Sequence, residues 1–323
     1  MSNPVDIPPE EQILVKGSGY TYQFSRGLLA HSLEPRGLPL DQAYRVARRV
    51  HKVLQAENKK EISENDLREY VREVAFKIAG ADLAYQYNLI EKWHESSIPL
   101  VILIAGAKGT GNSLIGELIA KRMVLPQIVS TNIVNQILRK TISPSLAPAL
   151  HAQSYLAYKA IRPMYSVLYD KVLIGFEQHA RFVTEAVEAL VRRALNEGLS
   201  MVVRGEHLVP RYMSEELTKN PNVIYVVLDV KDEEEHQKRY MSLYDEKKQI
   251  VKLEYFSNIR KIHDYLVEEA RNRNQIIIDA NDVVNATNNI YKIVLDRLAT
   301  LFPDSSDGNE VVFRGFDDSV IDS

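Results

Sequence analysis

Two periodicities divide the chain. Between residues 25 and 97 apolar positions recur at helical spacing: Ala43, Val46, Ala47, Val50, Val53 and Leu54 share one face of a helix that Asp41 is placed to cap. Ser63 with Asp66 opens a second helix, which carries Leu67, Val71, Val74, Ala75 and Ile78. From Ile98 onward the pattern changes. Short β-rich runs at 100–104, 201–203, 223–229 and 275–279 are separated by long helical stretches. Strands apolar on both faces, alternating with helices, predict a parallel sheet covered on both sides. The expected class is therefore α/β, a three-layer parallel sheet preceded by a small helical module.

The boundaries follow from composition. Residues 1–20, with Pro4, Pro8, Pro9, Gly17 and Gly19, read as an irregular arm; 21–96 as the helical module; 97–302 as the sheet domain; 303–323 as an acidic tail. In that tail Asp304, Asp307, Glu310, Asp317, Asp318 and Asp322 face only Arg314. The longest apolar run, 98–107, is about half the length of a membrane helix and ends in glycines, as a buried strand does. The first twelve residues carry neither a basic nor an apolar signal segment, so the expectation is a cytoplasmic protein without a membrane partner.

Composition then narrows the chemistry. With 323 residues, 45% of them hydrophobic, the chain can bury a substantial core. Forty Lys and Arg against 43 Asp and Glu leave a net charge of −3, which excludes a surface that coats nucleic acid or anionic membrane throughout. Cysteine is absent, which removes disulfides, thiolate nucleophiles, iron–sulfur clusters and cysteine zinc sites. Neither a G-x-S-x-G elbow nor an H-E-x-x-H helix is present. One local exception to the neutral balance is a stripe of Arg45, Arg48, Arg49 and Lys52, a solvated face or a phosphate-binding one. Aromatic residues do not interleave with it, so nucleic acid is not favoured.

The sharpest signal lies at 100–115. An apolar strand runs into Gly106-Ala-Lys108-Gly109-Thr110-Gly111-Asn112-Ser113 and then a helix start, the context a phosphate-binding loop requires. Glycines let backbone amides converge on phosphate oxygens, and the helix terminus adds partial positive charge. Against G-x-x-x-x-G-K-[ST], Gly106 and Gly111 fit and Ser113 offers a hydroxyl for Mg²⁺. The lysine position is Asn112, and Lys108 lies inside the loop instead. The alternative is a glycine turn kept for packing.

With the loop in hand, further segments are similar to the archaeal 2-phosphoglycerate kinase family. They are Ser25-Arg-Gly-Leu-Leu-Ala-His-Ser-Leu with Ala43-Tyr-Arg-Val-Ala, His151-Ala-Gln-Ser-Tyr-Leu-Ala-Tyr-Lys, Gly175-Phe-Glu-Gln-His-Ala, Gly205-Glu-His-Leu-Val-Pro, and Val226-Val-Leu-Asp-Val with His236 and Arg239. The resemblance implies a P-loop kinase fold with an ATP-cone-like N-terminal module, and transfer of the ATP γ-phosphoryl group to 2-phosphoglycerate with Mg²⁺. It also implies roles: loop amides and Lys108 around the phosphates, Ser113 on Mg²⁺, Arg239 closing on the transferred group, and Arg139 with His207 orienting the acceptor. Departures accompany it. The Thr-Asp-x-Ile-Arg-Glu expected after the second strand reads Thr131-Asn132-Ile-Val-Asn135-Gln136, and the acid expected before Gly205 is Arg204, with Glu206 two positions on. Since phosphoryl transfer relies on positioned charge, a second reading is a degenerate kinase that senses nucleotide or acts as a scaffold through a protein partner.

Several candidates carry an ordinary alternative. Arg139 and Lys140 also suit a helix C-terminus, and His207 and His179 suit hydrogen-bonded core positions. Arg239 lies in a stretch, 231–273, with ten basic and ten acidic residues, which equally describes a salt-bridged helical face. Asp229 ends a strand, where it either meets Mg²⁺ through water or caps the next turn.

Overall fold

The computed structural model describes residues 12–34, 38–161, 170–244 and 253–303. The expected acidic tail from Asp304 and the first eleven residues of the expected arm lie outside them. The chain forms two compact units. One takes in the described residues up to Ser96 with the end of the last helix, and the other spans Ser97–Arg297.

In the first unit α1 (Arg26–Leu33), α2 (Leu40–Ala56), α3 (Glu64–Ala79) and α4 (Ala81–Glu95) join a small sheet of β1 (Leu14–Lys16), β2 (Thr21–Gln23) and β3 (Glu61–Ser63). The sheet order is β2-β1-β3, antiparallel then parallel. The α2 stripe lies in the core beside Val15, Leu33, Leu38 and Val71. Ser63 caps α3 as its spacing predicts, accepting the Asp66 N–H at 3.0 Å and donating to its carboxylate at 2.7 Å. Asp41 does not cap α2. Pro39 takes that position, with φ −53°, and its ring fixes the chain's entry two residues before the predicted cap, which leaves Asp41 in the first turn. The three strands also correct the expectation, β1 within the presumed irregular arm and β2 and β3 in a stretch read as helical. Each has only three residues, too few for alternation to register.

The second unit contains β4 (Val101–Ala105), α5 (Asn112–Arg122), β5 (Gln127–Ser130), α6 (Thr131–Thr141), α7 (Lys171–Asn196), β6 (Met201–Gly205), α8 (Glu215–Thr218), β7 (Val223–Asp229), α9 (Glu233–Ser242), α10 (Phe256–Asn272), β8 (Ile276–Asp279) and most of α11 (Val283–Leu301). Its five strands run parallel in the order β5-β6-β4-β7-β8. The parallel α/β sheet expected from the sequence is present. Alternate side chains of the strands divide between its two faces. Leu103, Ala105, Val203 and Val227 pack with Phe176, Val183 and Val187 of α7 and with Ile259 and Leu266 of α10, while Val202 and Arg204 of β6 lie against α5. Strand β5 lies at the edge with Gln127 and Ile128 exposed, so no apolar run announces it.

The first strand of this sheet in chain order, β4, is central and buried at all five residues. Chain order reverses on either side of it, and in such sheets the crevice beyond the strand's carboxyl end is where ligands bind. Among the described residues no helix is long and apolar enough to cross a membrane.

Candidate functional site

The glycine loop sits at that crevice. Gly111 is the N-cap of α5 in the left-handed region, so the first-turn amides, which have no intrahelical partner, face the end of the loop. Thr110 is buried and donates its hydroxyl to the Ala107 carbonyl at 2.8 Å. Asn112 turns inward, its amide donating to the carbonyls of Gly106 at 2.8 Å and Ala107 at 3.3 Å. A neutral side chain thus ties the two ends of the loop together and supplies no charge. Gly109 rests against His236 and Tyr240 of α9, and His236 donates through Nε2 to the Lys108 carbonyl at 2.8 Å. Burial lowers the His236 pKa to about 4, so at neutral pH this clamp is an uncharged imidazole.

Beside the loop lies a cavity of about 250 Å³, polar along most of its lining. Lys108 and Arg139 bring positive charge to it, and Asn132, Asn135 and Gln136 bring amides from α6. Lys108 reaches between loop and cavity: its Nζ donates to Gln153 Oε1 at 3.3 Å and stands 4.0 Å from Glu206 Oε1, over the Tyr155 ring. Glu206 is buried and accepts from the Ser154 hydroxyl at 2.7 Å. Arg139 spends one guanidinium N–H on the His151 carbonyl, at 2.7 Å. The Asn135 side-chain oxygen is buried without a hydrogen-bond partner, an acceptor that a ligand hydroxyl would satisfy.

The floor of the cavity is a relay of neutral groups. A backbone carbonyl only accepts, so His179 must carry a proton on Nδ1 to bond Ala149 at 2.9 Å. Its bare Nε2 then accepts from His207 Nε2 at 3.0 Å, and the bare Nδ1 of His207 accepts from the Thr131 hydroxyl at 2.8 Å. Burial lowers both histidine pKa values, that of His207 well below the ordinary imidazole range with help from His179. Both ring nitrogens of His207 are therefore engaged within the protein, and its influence on a ligand passes through Thr131, His179 and the cavity wall. Gly205, with φ +145°, makes this possible: a Cβ there would fall inside the Thr131 side chain.

Arg204 and Ser113 meet on the other face of the sheet. Arg204, opposite Ile104 in the β4–β6 register, donates from one guanidinium nitrogen to Ser113 Oγ at 2.5 Å and lies 3.5 Å from the Glu117 carboxylate. Its Nε is buried without a partner. The donor set does not fit a divalent cation on Ser113: the hydroxyl oxygen already accepts from a cation, which would repel the metal.

The remaining candidates lie apart from this cluster. Arg239 pins the turn before α11, donating to the Ala280 carbonyl at 2.6 Å, to that of Asn281, and to Glu235 at 2.7 Å. Asp229 is buried, 3.6 Å from an Arg271 nitrogen and 3.5 Å from His263 Nε2. Residues that sequence reasoning passed over are Ser154 and Gln153, which close the cavity from a short 3₁₀ stretch, and Thr131 as the origin of the relay. Their traces in the sequence were indirect: Thr131 is the first residue of the divergent motif, and Gln153 and Ser154 lie in the matching segment that begins at His151.

Comparison with known proteins agrees with the geometry. No protein-family profile matches the chain. A 2-phosphoglycerate kinase from Methanothermobacter thermautotrophicus is 36% identical over 282 residues, covering 86% of this chain and 92% of that protein. One from Methanopyrus kandleri is 33% identical over 291 residues, 89% and 88% of the two chains, and one from Pyrococcus horikoshii is 25% identical over 288, 88% and 94%. Among solved structures, a gluconokinase from Sinorhizobium meliloti aligns over 63% of this chain and 94% of its own at 16% identity and a TM-score of 0.36, too low to carry an argument. The alignments to these relatives, 291 and 282 residues long, extend over both units, and this chain belongs to the 2-phosphoglycerate kinase family.

Proposed function

We propose that the protein is a small-molecule kinase that transfers the terminal phosphoryl group of ATP to the free hydroxyl of 2-phosphoglycerate, giving 2,3-bisphosphoglycerate and ADP. The observation that carries this reading is the adjacency of two anion-binding features, the phosphate loop and the Lys108–Arg139 cavity, with Lys108 common to both. A phosphorylated three-carbon acid is small enough for about 250 Å³ and carries the carboxylate and phosphate that two cations hold.

In this arrangement the loop amides hold the donor phosphates and Arg139 with Lys108 hold the acceptor's anionic groups. The acceptor oxygen attacks the γ-phosphorus, the bond to the β–γ bridging oxygen breaks, and ADP leaves. Glu206, buried at the cavity wall beside Lys108, is placed to take the hydroxyl proton. The side-chain amides of Asn132 and Gln136 orient oxygens without competing for that proton. The reading of a scaffold acting through a protein partner finds no supporting feature among the described residues. The test is incubation with ATP, Mg²⁺ and 2-phosphoglycerate followed by mass-resolved product analysis. Stoichiometric 2,3-bisphosphoglycerate and ADP are expected; their absence at micromolar enzyme would overturn the proposal.

A further inference from the structure

The loop of this chain carries asparagine where a phosphate loop carries a lysine, and the neighbouring strand carries arginine where an acid was expected. The structure brings these two departures together. Asn112 is turned into the loop, bonded to Gly106 and Ala107, and the next residue, Ser113, accepts a hydrogen bond from Arg204 at 2.5 Å. The arginine is seated there by packing. A Cβ on Gly116, one turn further along α5, would lie 2.8 Å from Arg204 Cδ, so only glycine leaves the side chain its path across the helix. The guanidinium is underused where it lies: its side chain is 18% exposed, Nε is buried and unbonded, and the one carboxylate near it, Glu117 at 3.5 Å, is largely in solvent. A partly buried cation with donors left over beside a loop of converging amides is matched to a multiply charged oxyanion.

We propose that Arg204 supplies from β6 the positive charge that the loop lacks at Asn112, contacting nucleotide phosphate oxygens at the place where Ser113 would otherwise hold Mg²⁺, so that this chain binds ADP and ATP without a divalent cation. The inference rests on the nucleotide-binding part of the proposed function. It also accounts for the poor fit of a metal at Ser113, because one charge replaces the other and both together would repel.

Calorimetric titration of ADP into the full chain, once in EDTA and once in Mg²⁺, tests it. Wild-type affinity should differ by less than about threefold between the two buffers, since a charge-assisted hydrogen bond to Arg204 stands in for the metal. Arg204→Gln should weaken ADP binding in EDTA by about 10- to 100-fold and regain much of it in Mg²⁺, when Ser113 is released. Adding Asn112→Lys to Arg204→Gln should restore metal-free binding, which a merely structural role for Arg204 does not predict. The proposal is overturned if wild-type binding in EDTA is lost, or if Arg204→Gln binds metal-free ADP as the wild type does. The wild-type comparison needs no variant and stands even if Arg204→Gln fails to fold. Should the wild type bind ADP in neither buffer, the nucleotide reading itself falls; binding only with Mg²⁺ overturns the Arg204 role and leaves that reading intact.

Discussion

Replacing Thr131 by valine removes one hydroxyl and almost no volume, which isolates the relay beneath the cavity. Thr131 and His207 are both buried, so no water takes the place of the lost donor. The His207 Nδ1 then stays unpaired, or the proton moves to it and His207 Nε2 meets the bare Nε2 of His179, or His179 also changes tautomer and gives up Ala149. The first alternative loses one buried hydrogen bond and the other two lose a second as well, so the least costly outcome is the first, at about 1–3 kcal/mol. For a unit the size of Ser97–Arg297 that corresponds to a fall in melting temperature of roughly 2–12 °C. Scanning calorimetry at pH 7.5 measures the shift, with Thr131→Ser, which keeps the hydroxyl, as the control. Nitrogen chemical shifts of the two imidazoles report the tautomers directly. A valine variant as stable as wild type, or a serine variant damaged as much as the valine one, would refute the relay.

Three further outcomes follow from the same geometry. Burial lowers the pKa values of His179, His207, His236 and His263; the unfolded chain then binds more protons than the folded one below about pH 6.5, so each adds a loss of up to about 1.4 kcal/mol per pH unit as pH falls toward 5. Urea denaturation between pH 7.5 and 5 checks this, and stability that is flat or rising toward pH 5 would contradict it. Gly205→Ala should cost roughly 2–4 kcal/mol through its unfavourable φ and the displaced Thr131, seen as a lower urea midpoint; an unchanged midpoint would show that the close approach is not needed. Arg139→Gln should raise KM for 2-phosphoglycerate by about 10- to 100-fold while leaving KM for ATP within about twofold, and steady-state kinetics with each substrate varied in turn separates the two.

Much of the second unit was legible because its strands are apolar on both faces. Residues 223–229 are predicted and observed as β7 with the same limits, every residue buried. The loop was legible from its glycines and its place between strand and helix. The short strands of the first unit were not: β1 and β3 pair across a long stretch of chain, Leu14 opposite Glu61, and β2 meets β1 in a hairpin of three residue pairs, too few for alternation to show. Asp41 was misplaced because a cap preference of about 1 kcal/mol gives way to a proline that sets the entry angle. Among site residues, the identities of Lys108, Asn112, Arg139 and His207 were available from the chain, but not their partners.

The amino-acid sequence by itself determined the class of fold, the position of the phosphate loop and the missing lysine, since these rest on periodicity and on residue types at fixed local spacing. It also determined which charges are present. Where each charge acts was decided by the tertiary structure. Parallel pairing sets β6 beside β4 and so carries Arg204, 91 residues after Ser113, to that hydroxyl. Pairing of β5 with β6 sets His207 over Thr131, across 76 residues, beside the cavity that Lys108, Arg139 and Glu206 line. Local spacing cannot encode such contacts, because they arise from strand order and from burial that leaves each buried polar group one partner to find.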